Sequence, residues 1–246
     1  MIRNIFSFAA LFLWIFAAFS TPAHGFQTDT VDTFSGPLNI TFLGHASLLM
    51  DFEGKKIYID PCTRYADFSK LPKADIILFT HEHPDHFDPQ AIEELRTDHT
   101  LVVLTEACAL HYKEGIVMHN EDVKIVSGIK IEGVPAYNIV NKRPSGFPYH
   151  LKGMGNGYVL TLGNRRVYIA GDTEFIPEMK ELTDIDIAFL PVGPPQTMTV
   201  EMAADAVKAL KPKIFYPYHY DHTDLSELEK LIKDVPGVEM RIRDMQ

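Results

Sequence analysis

The segment Thr80-His81-Glu82-His83-Pro84-Asp85-His86 places four groups able to hold a metal ion within six residues: His81, His83, Asp85 and His86. His81 and His83 stand two apart, so in extended backbone their rings share a face. Imidazole nitrogen is a good ligand for zinc and similar ions, and a carboxylate adds a harder oxygen donor. Four donors are more than one ion takes from one loop, and they suit two adjacent ions. Hydrolytic sites of that kind hold their metals ~3.5–4 Å apart. The segment follows residues 74–79, which read as a buried strand. The end of such a strand is a rigid platform from which a loop can turn its side chains inward. A surface loop that gathers histidines by chance is the alternative, and it has no packing reason to carry H-x-H-x-D-H at a strand end.

Further donors are scattered along the chain. Asp172 stands behind Gly171 at the end of a hairpin strand, where glycine lets the backbone approach a neighbour closely. The plainer alternative is a turn aspartate that caps a following helix. His219 ends a strand over 214–218, as a distal ligand should, or is a histidine satisfied where it lies. Asp60 closes a short strand and reads either as a carboxylate orienting a ligand histidine from behind or as a turn residue. His45, on the first β-turn, faces the metals or the substrate, or only fills the turn, and His222 reads as a surface residue. Gly153-Met154-Gly155-Asn156-Gly157 has the look of a dinucleotide loop, but a strand follows where a helix is needed, so no nucleotide cofactor is expected. Cys62 has no base at a recognisable spacing and reads as structural.

The elements that must position these residues are short. Runs over 38–43, 47–52 and 56–59 are β-rich and joined by tight turns, a meander. Residues 89–95 have helical spacing with proline in the first turn, 101–104 read as strand, and 106–112 as a helix that stops near Gly115. Two more β-runs cover 123–126 and 129–134. The Gly163-Asn164 pair between 157–162 and 166–170 is a strong hairpin signal. Strands over 185–190, 214–218 and 238–242 alternate with helices over 200–210 and 225–232. No internal repeat or linker is visible after residue 36. This order predicts an α/β fold, with one domain over 37–246 in which two mixed sheets pack together and helices lie outside.

Of the 246 residues, 46% are apolar and 23% charged, ordinary for a soluble globular protein and incompatible with a disordered or fibrous chain. Acidic residues outnumber basic ones 33 to 23, and the formal charge is -10. Such a chain repels phosphate backbones, so nucleic acid is not an expected partner. Cys62 and Cys108 cannot make a disulfide framework; they read as unpaired buried thiols, with pairing to each other in an oxidising compartment as the alternative. Residues 1–25 have the layout of a secretory signal peptide. Arg3 gives the positive start, Ser7 is the only polar residue over 5–19, and Ala23-His24-Gly25 offers a cleavage site. That apolar run is short of the ~20 residues a spanning helix needs. The expected protein is therefore periplasmic or secreted, cleaved after Gly25, and not inserted in a membrane. Trp14, the only tryptophan, leaves with the signal.

Together with Gly44-His45-Ala46-Ser47, Ile59-Asp60-Pro61, Gly171-Asp172-Thr173-Glu174 and Pro217-Tyr218-His219, the H-x-H-x-D-H segment resembles the metallo-β-lactamase superfamily. Within it the chain is most similar to the ascorbate-phosphate lactonase-like metal-dependent hydrolases. The resemblance spans nearly all of 37–246. It implies a four-layer αβ/βα sandwich of two mixed β-sheets, with two divalent metal ions (zinc, manganese or iron) at one edge. It also implies that Asp172 bridges both ions. Many members carry a third histidine for the first metal on the strand before that aspartate. Here the stretch reads Val134-Pro135-Ala136-Tyr137-Asn138, so either Asn138 stands in as a neutral ligand or His150 completes the site.

A pair of such ions makes water nucleophilic near neutral pH. The expected reaction is hydrolysis of an ester, lactone, amide or phosphodiester bond in a small-molecule or lipid substrate. Asp85 would orient the nucleophile and take a proton, and His45 or Tyr149 would donate to the oxyanion or the leaving group. A metal-binding protein of the same fold without turnover, or a true β-lactamase, is the alternative. Oligomeric state is not legible in the sequence.

Overall fold

The β-rich runs form two seven-stranded sheets in a computed structural model that describes residues 25–245. The export signal expected over 1–25 lies outside the described residues, apart from Gly25. The first sheet sets β1 (Thr28–Thr33), β2 (Gly36–Gly44), β3 (Ser47–Phe52), β4 (Lys55–Ile59), β5 (Ile76–Leu78), β6 (Leu101–Leu104) and β7 (Ile116–Val117) side by side in that order. The second does the same with β8 (Val123–Val126), β9 (Ile129–Ala136), β10 (Gly155–Leu162), β11 (Arg165–Ile169), β12 (Ile187–Pro191), β13 (Ile214–Tyr218) and β14 (Glu239–Met240).

In each sheet the first three pairings are antiparallel and the last three parallel. Tight turns suffice for the antiparallel half, whereas parallel neighbours need a crossover. The crossovers carry the helices: α1 (Pro89–Leu95) and α2 (Glu106–Ala109) in the first half, α3 (Val200–Leu210) and α4 (Ser226–Ile232) in the second. The two halves repeat one winding although no internal repeat is visible in the sequence. A faint trace survives in the fourth strand of each sheet, KKIYI in β4 and RRVYI in β11.

Strand alternation fixes the layers. Leu48, Met50, Ile57, Ile59, Ile76 and Leu78 face a core shared with Leu160 and Ile169 of the second sheet. Leu49, Tyr58 and Ile77 point the other way, onto Ile92 and Leu95 of α1 and Cys108 of α2. On the far side α3 buries Ala203, Ala204, Val207 and Leu210. This is the expected four-layer sandwich. Both cysteines are buried free thiols. No helix among the described residues is long and apolar enough to cross a membrane.

The sheet extends beyond the domain start expected at residue 37. β1 pairs with β2 from Thr28↔Thr41 to Thr33↔Gly36, and its sequence, TDTVDT, offers hydrophobic patterning almost nothing to read. It is an edge strand held by polar contacts, chiefly Asp29 accepting from the Arg243 guanidinium at 2.8 Å and the Tyr216 hydroxyl at 2.6 Å. The helix expected over 106–112 ends at Ala109.

Candidate metal centre

The chain leaves β5 at Leu78 and at once folds into a tight turn, in which the amides of His86 and Phe87 both donate to the His83 carbonyl, at 3.0 and 2.8 Å. That turn splits the motif. His81 and His83 join His150 and Asp172 in one group of donors; Asp85 and His86 join His45 and His219 in another. Within each group the donor atoms lie within 4.8 Å of one another. Asp172 belongs to both by geometry. Its Oδ2 is 3.4 Å from His150 Nε2, 3.8 Å from His81 Nε2 and 3.3 Å from His219 Nε2, while its Oδ1 is 3.4 Å from His86 Nε2.

Close backbone approach makes this convergence possible. Gly171 has φ +66°, and a Cβ there would meet the Asn156 carbonyl oxygen at 2.8 Å, so only glycine lets Asp172 reach the centre. His45 and His219 directly follow β2 and β13 in left-handed conformations, φ 53° and 48°, and the His219 amide donates to the His45 carbonyl at 2.9 Å. This bond ties the two sheets together at the edge where the donors meet.

A second ring of side chains fixes the imidazoles. Asp60, fully buried, accepts from the Thr80 amide at 2.7 Å, the Thr80 hydroxyl at 2.6 Å and His86 Nδ1 at 2.9 Å. The Thr80 hydroxyl oxygen is also 3.0 Å from His81 Nδ1. One carboxylate therefore orients a histidine in each group and leaves both Nε2 atoms facing inward. His150 is held the same way, its Nδ1 2.7 Å and its amide 2.9 Å from Asn138 Oδ1. The two alternatives left by the sequence take different places: His150 stands among the donors and Asn138 behind it. Asn138 is in turn fixed by the Gln196 carbonyl, which accepts from its Nδ2 at 2.8 Å, and by Glu174 at 3.3 Å, whose carboxylate also accepts from the amides of Ile139, Val140 and Asn141, each at 2.7 Å. Sequence reasoning missed Thr80 and Glu174 as positioning residues. The signals were the place of Thr80 beside His81 and that of Glu174 in the Gly171-Asp172-Thr173-Glu174 segment.

These residues fit divalent metal ions. His81 Nε2, His86 Nε2 and Asp172 Oδ1 are buried without a hydrogen-bond partner, although they converge on one space. Orphaned buried polar atoms are costly unless something binds them. Electrostatics point the same way. Burial and the neighbouring His86 push the His81 imidazole well down, and burial takes His150 to about 4, so both are neutral and able to ligate near pH 7. Burial also opposes charge on His86, but Asp172 and Asp60 outweigh it and hold that ring at about 9. Burial pushes the Asp172 carboxyl up, yet His219 and His86 more than offset it and leave it well below the usual range. Asp85 is likewise driven up by burial and more strongly down by His45 and His86. The cluster is thus built around ionised carboxylates that a cation would neutralise.

The remaining candidates lie around this centre. His45 Nε2 is 3.3 Å from Asp85 Oδ2, its Nδ1 3.2 Å from Asp221 Oδ1, and its ring stacks on Tyr65 with centroids 4.7 Å apart. Tyr149 lines the cleft over both groups. His222 is exposed. The glycines of 153–157 run into β10, a strand and not a helix. Cys62 Sγ lies 3.6 Å from the Pro84 carbonyl oxygen, with its thiol pushed up by burial, and supports the motif loop from below.

Comparison with known proteins agrees with this geometry. Residues 39–219 match the family model described as the β-lactamase superfamily domain. A metal-dependent hydrolase of Pelotomaculum thermopropionicum is 31% identical over 221 residues, covering 83% of this chain and 96% of its own. Among solved structures, a candidate metal-dependent hydrolase from Parabacteroides distasonis is 48% identical with a TM-score of 0.86, covering 90% of this chain and 100% of its own. A metallo hydrolase of Ignicoccus hospitalis is 25% identical with a TM-score of 0.70, covering 84% of this chain and 95% of its own. This chain belongs to the metallo-β-lactamase superfamily and is a metal-dependent hydrolase.

Proposed function

We propose that the protein is a dinuclear hydrolase that acts after export on an ester, lactone, amide or phosphodiester bond. The observation that carries this reading is the reach of Asp172, one oxygen of which faces His81, His150 and His219 while the other faces His86. A carboxylate whose two oxygens face different histidines would suit a pair of adjacent ions. His81, His83 and His150 would hold one ion, Asp85, His86 and His219 the other, with His45 beside the second group. The nitrogen and oxygen donors, with no thiolate among them, suit zinc, manganese or iron. When bound, such ions lower the pKa of water and polarise the oxygen under attack.

The chain's own groups supply the rest. Asp85, held ionised, accepts a hydrogen bond from the attacking water and orients it. Water's oxygen bonds to the electrophilic carbon or phosphorus, and the bond to the leaving group breaks. The leaving atom takes one of water's protons, delivered from His45 or from the Tyr149 hydroxyl, and the other passes to solvent. The charged stretch before the apolar run of 5–19 supports export, and a small-molecule or lipid substrate fits an acidic protein better than nucleic acid does.

The test is metal content and turnover together. Elemental mass spectrometry of the exported chain should give two equivalents, and a panel of ester, lactone, amide and phosphodiester substrates should show hydrolysis that His81→Ala and Asp172→Ala abolish. Bound metal with no turnover across the panel would favour a binding protein. Turnover that survives either substitution would refute the assignment. The exported chain, lacking Trp14, should also show no tryptophan fluorescence.

A further inference from the structure

The cleft over the metal donors continues into a cavity of about 270 Å³, room for on the order of nine waters at ~30 Å³ each. Its wall has two characters. The donors His81, His83, His150 and Asp172 line it, with Glu82 beside them, and so do the apolar Phe147, Pro148, Leu151 and Met154. Phe147, Leu151 and Met154 are 66%, 50% and 46% exposed, large apolar side chains grouped on one segment of an otherwise acidic protein. A lone exposed leucine needs no explanation, but a group of apolar side chains around the mouth of a reactive cleft marks a ligand surface.

Arg143 is shared by two linings. It lines both the apolar cavity and the polar cleft on the Asp85 side, and neither lining contains another lysine or arginine. Its guanidinium lies 5.1 Å from the Tyr149 ring centroid and donates to the Tyr149 carbonyl at 3.1 Å. Among the described residues no carboxylate forms an ion pair with it, although the chain carries a formal charge of -10. The segment that bears it is anchored at its root by Glu174, through the amides of residues 139–141. Arg143 is thus an exposed cation with donors to spare that lines both the apolar cavity and the cleft over the hydrolytic centre.

We propose that the centre acts on amphiphilic anions. Such a molecule has an acyl or aryl group that fills the space beside Phe147, Leu151 and Met154. Its carboxylate or phosphate is held by Arg143, and the bond to be cut lies over Asp172. The proposal rests on the hydrolase reading above and adds the substrate class to it. Arg143 selects the substrate through its charge and shape, since a guanidinium fork matches carboxylate and phosphate oxygens.

Binding tests this apart from turnover. The probes are N-octanoylglycine, octyl phosphate and the neutral N-octanoylglycinamide, titrated by calorimetry into the purified protein, Arg143→Gln and Met154→Asp. A charge-assisted hydrogen bond corresponds to about ten- to a hundredfold in affinity. At least one anion should therefore bind ten- to a hundredfold more tightly than the amide. Whichever anion does so names the head group. Arg143→Gln should reduce that preference to within about twofold, and Met154→Asp should weaken all three probes while leaving the melting temperature unchanged. A preference that survives Arg143→Gln would put the anion on the metal donors and overturn the proposal, as would equal binding of charged and neutral probes by the unaltered protein. Hydrolysis is read separately with octanoylglycolate and octanoylglycolamide. Selective, Arg143-dependent binding without cleavage of these probes or of any ester, lactone, amide or phosphodiester in the panel above would leave the ligand class standing and sink the hydrolase reading.

Discussion

Replacing Asp60 by asparagine probes the support of both donor groups with one isosteric change. Asp60 is fully buried, and its three partners, the Thr80 amide, the Thr80 hydroxyl and His86 Nδ1, lie at 2.7, 2.6 and 2.9 Å. A carboxylate accepts from all of them, whereas an amide offers one oxygen and one NH2. If the NH2 takes the place of Oδ2, His86 Nδ1 must become an acceptor. The proton then moves to Nε2, the atom 3.4 Å from Asp172 Oδ1, and that ring cannot ligate. If the NH2 takes the place of Oδ1, it opposes the Thr80 amide and disturbs the residue that steadies His81. In either orientation one group of donors is spoiled. Loss of such an outer partner costs about ten- to a hundredfold in metal affinity, or about 1.4–2.8 kcal/mol. Competition against a chromogenic chelator at pH 7 measures it, with melting of the chelator-treated protein as the control for folding. A variant that melts normally without metal and binds it within threefold of the parent would refute the reasoning.

Other consequences follow from the same structure. Gly171→Ala places a methyl group 2.8 Å from the Asn156 carbonyl at a φ of +66°. It should cost more than the ~1–2 kcal/mol of the left-handed conformation alone, and thermal melting together with metal content reads both consequences. Stripping metal with a chelator should lower the melting temperature. If free metal stands a thousandfold above its Kd, the stabilisation is about 4 kcal/mol, or about 8–16 °C for a chain of this size. Unchanged melting would mean that the donors hold nothing. Burial pushes the Asp186 carboxyl up, but Lys213, the Arg166 amide and Arg165 outweigh it and hold it below the usual range. Its stabilisation is therefore complete above about pH 4 and is lost as pH falls through the lower folded value. Asp186→Asn should flatten that acid limb in urea titrations, and an unchanged limb would assign the acid loss elsewhere.

Much of the fold is legible because its strands are buried on both faces. The runs that become β5, β6 and β13 carry enough apolar residues to be found from pattern alone, and Thr199 and Asp88 cap α3 and α1 as helix starts require. β1 escapes notice because an edge strand can be held by Asp29 and two arginines without an apolar face. The repeated winding of the two halves escapes because topology outlives sequence, leaving only the likeness of β4 and β11.

The sequence by itself determined the chemistry. Histidines and carboxylates packed after a buried strand specify metal donors, since no packing reason puts them there, and Asp172 and His219 are visible from where their strands end. Tertiary structure alone decided how the donors divide. A turn closed on the His83 carbonyl sends His81 and His83 one way and Asp85 and His86 the other, and spacing along the chain is blind to that direction. It alone put His150 among the donors and Asn138 behind it, because Asn138 is held by groups from across the fold, the Gln196 carbonyl and the Glu174 carboxylate, and its oxygen then faces His150. Donor type is a property of one residue, and so it is written in the sequence. Donor geometry is a property of several strands meeting at one edge, and it exists only once both sheets are in place.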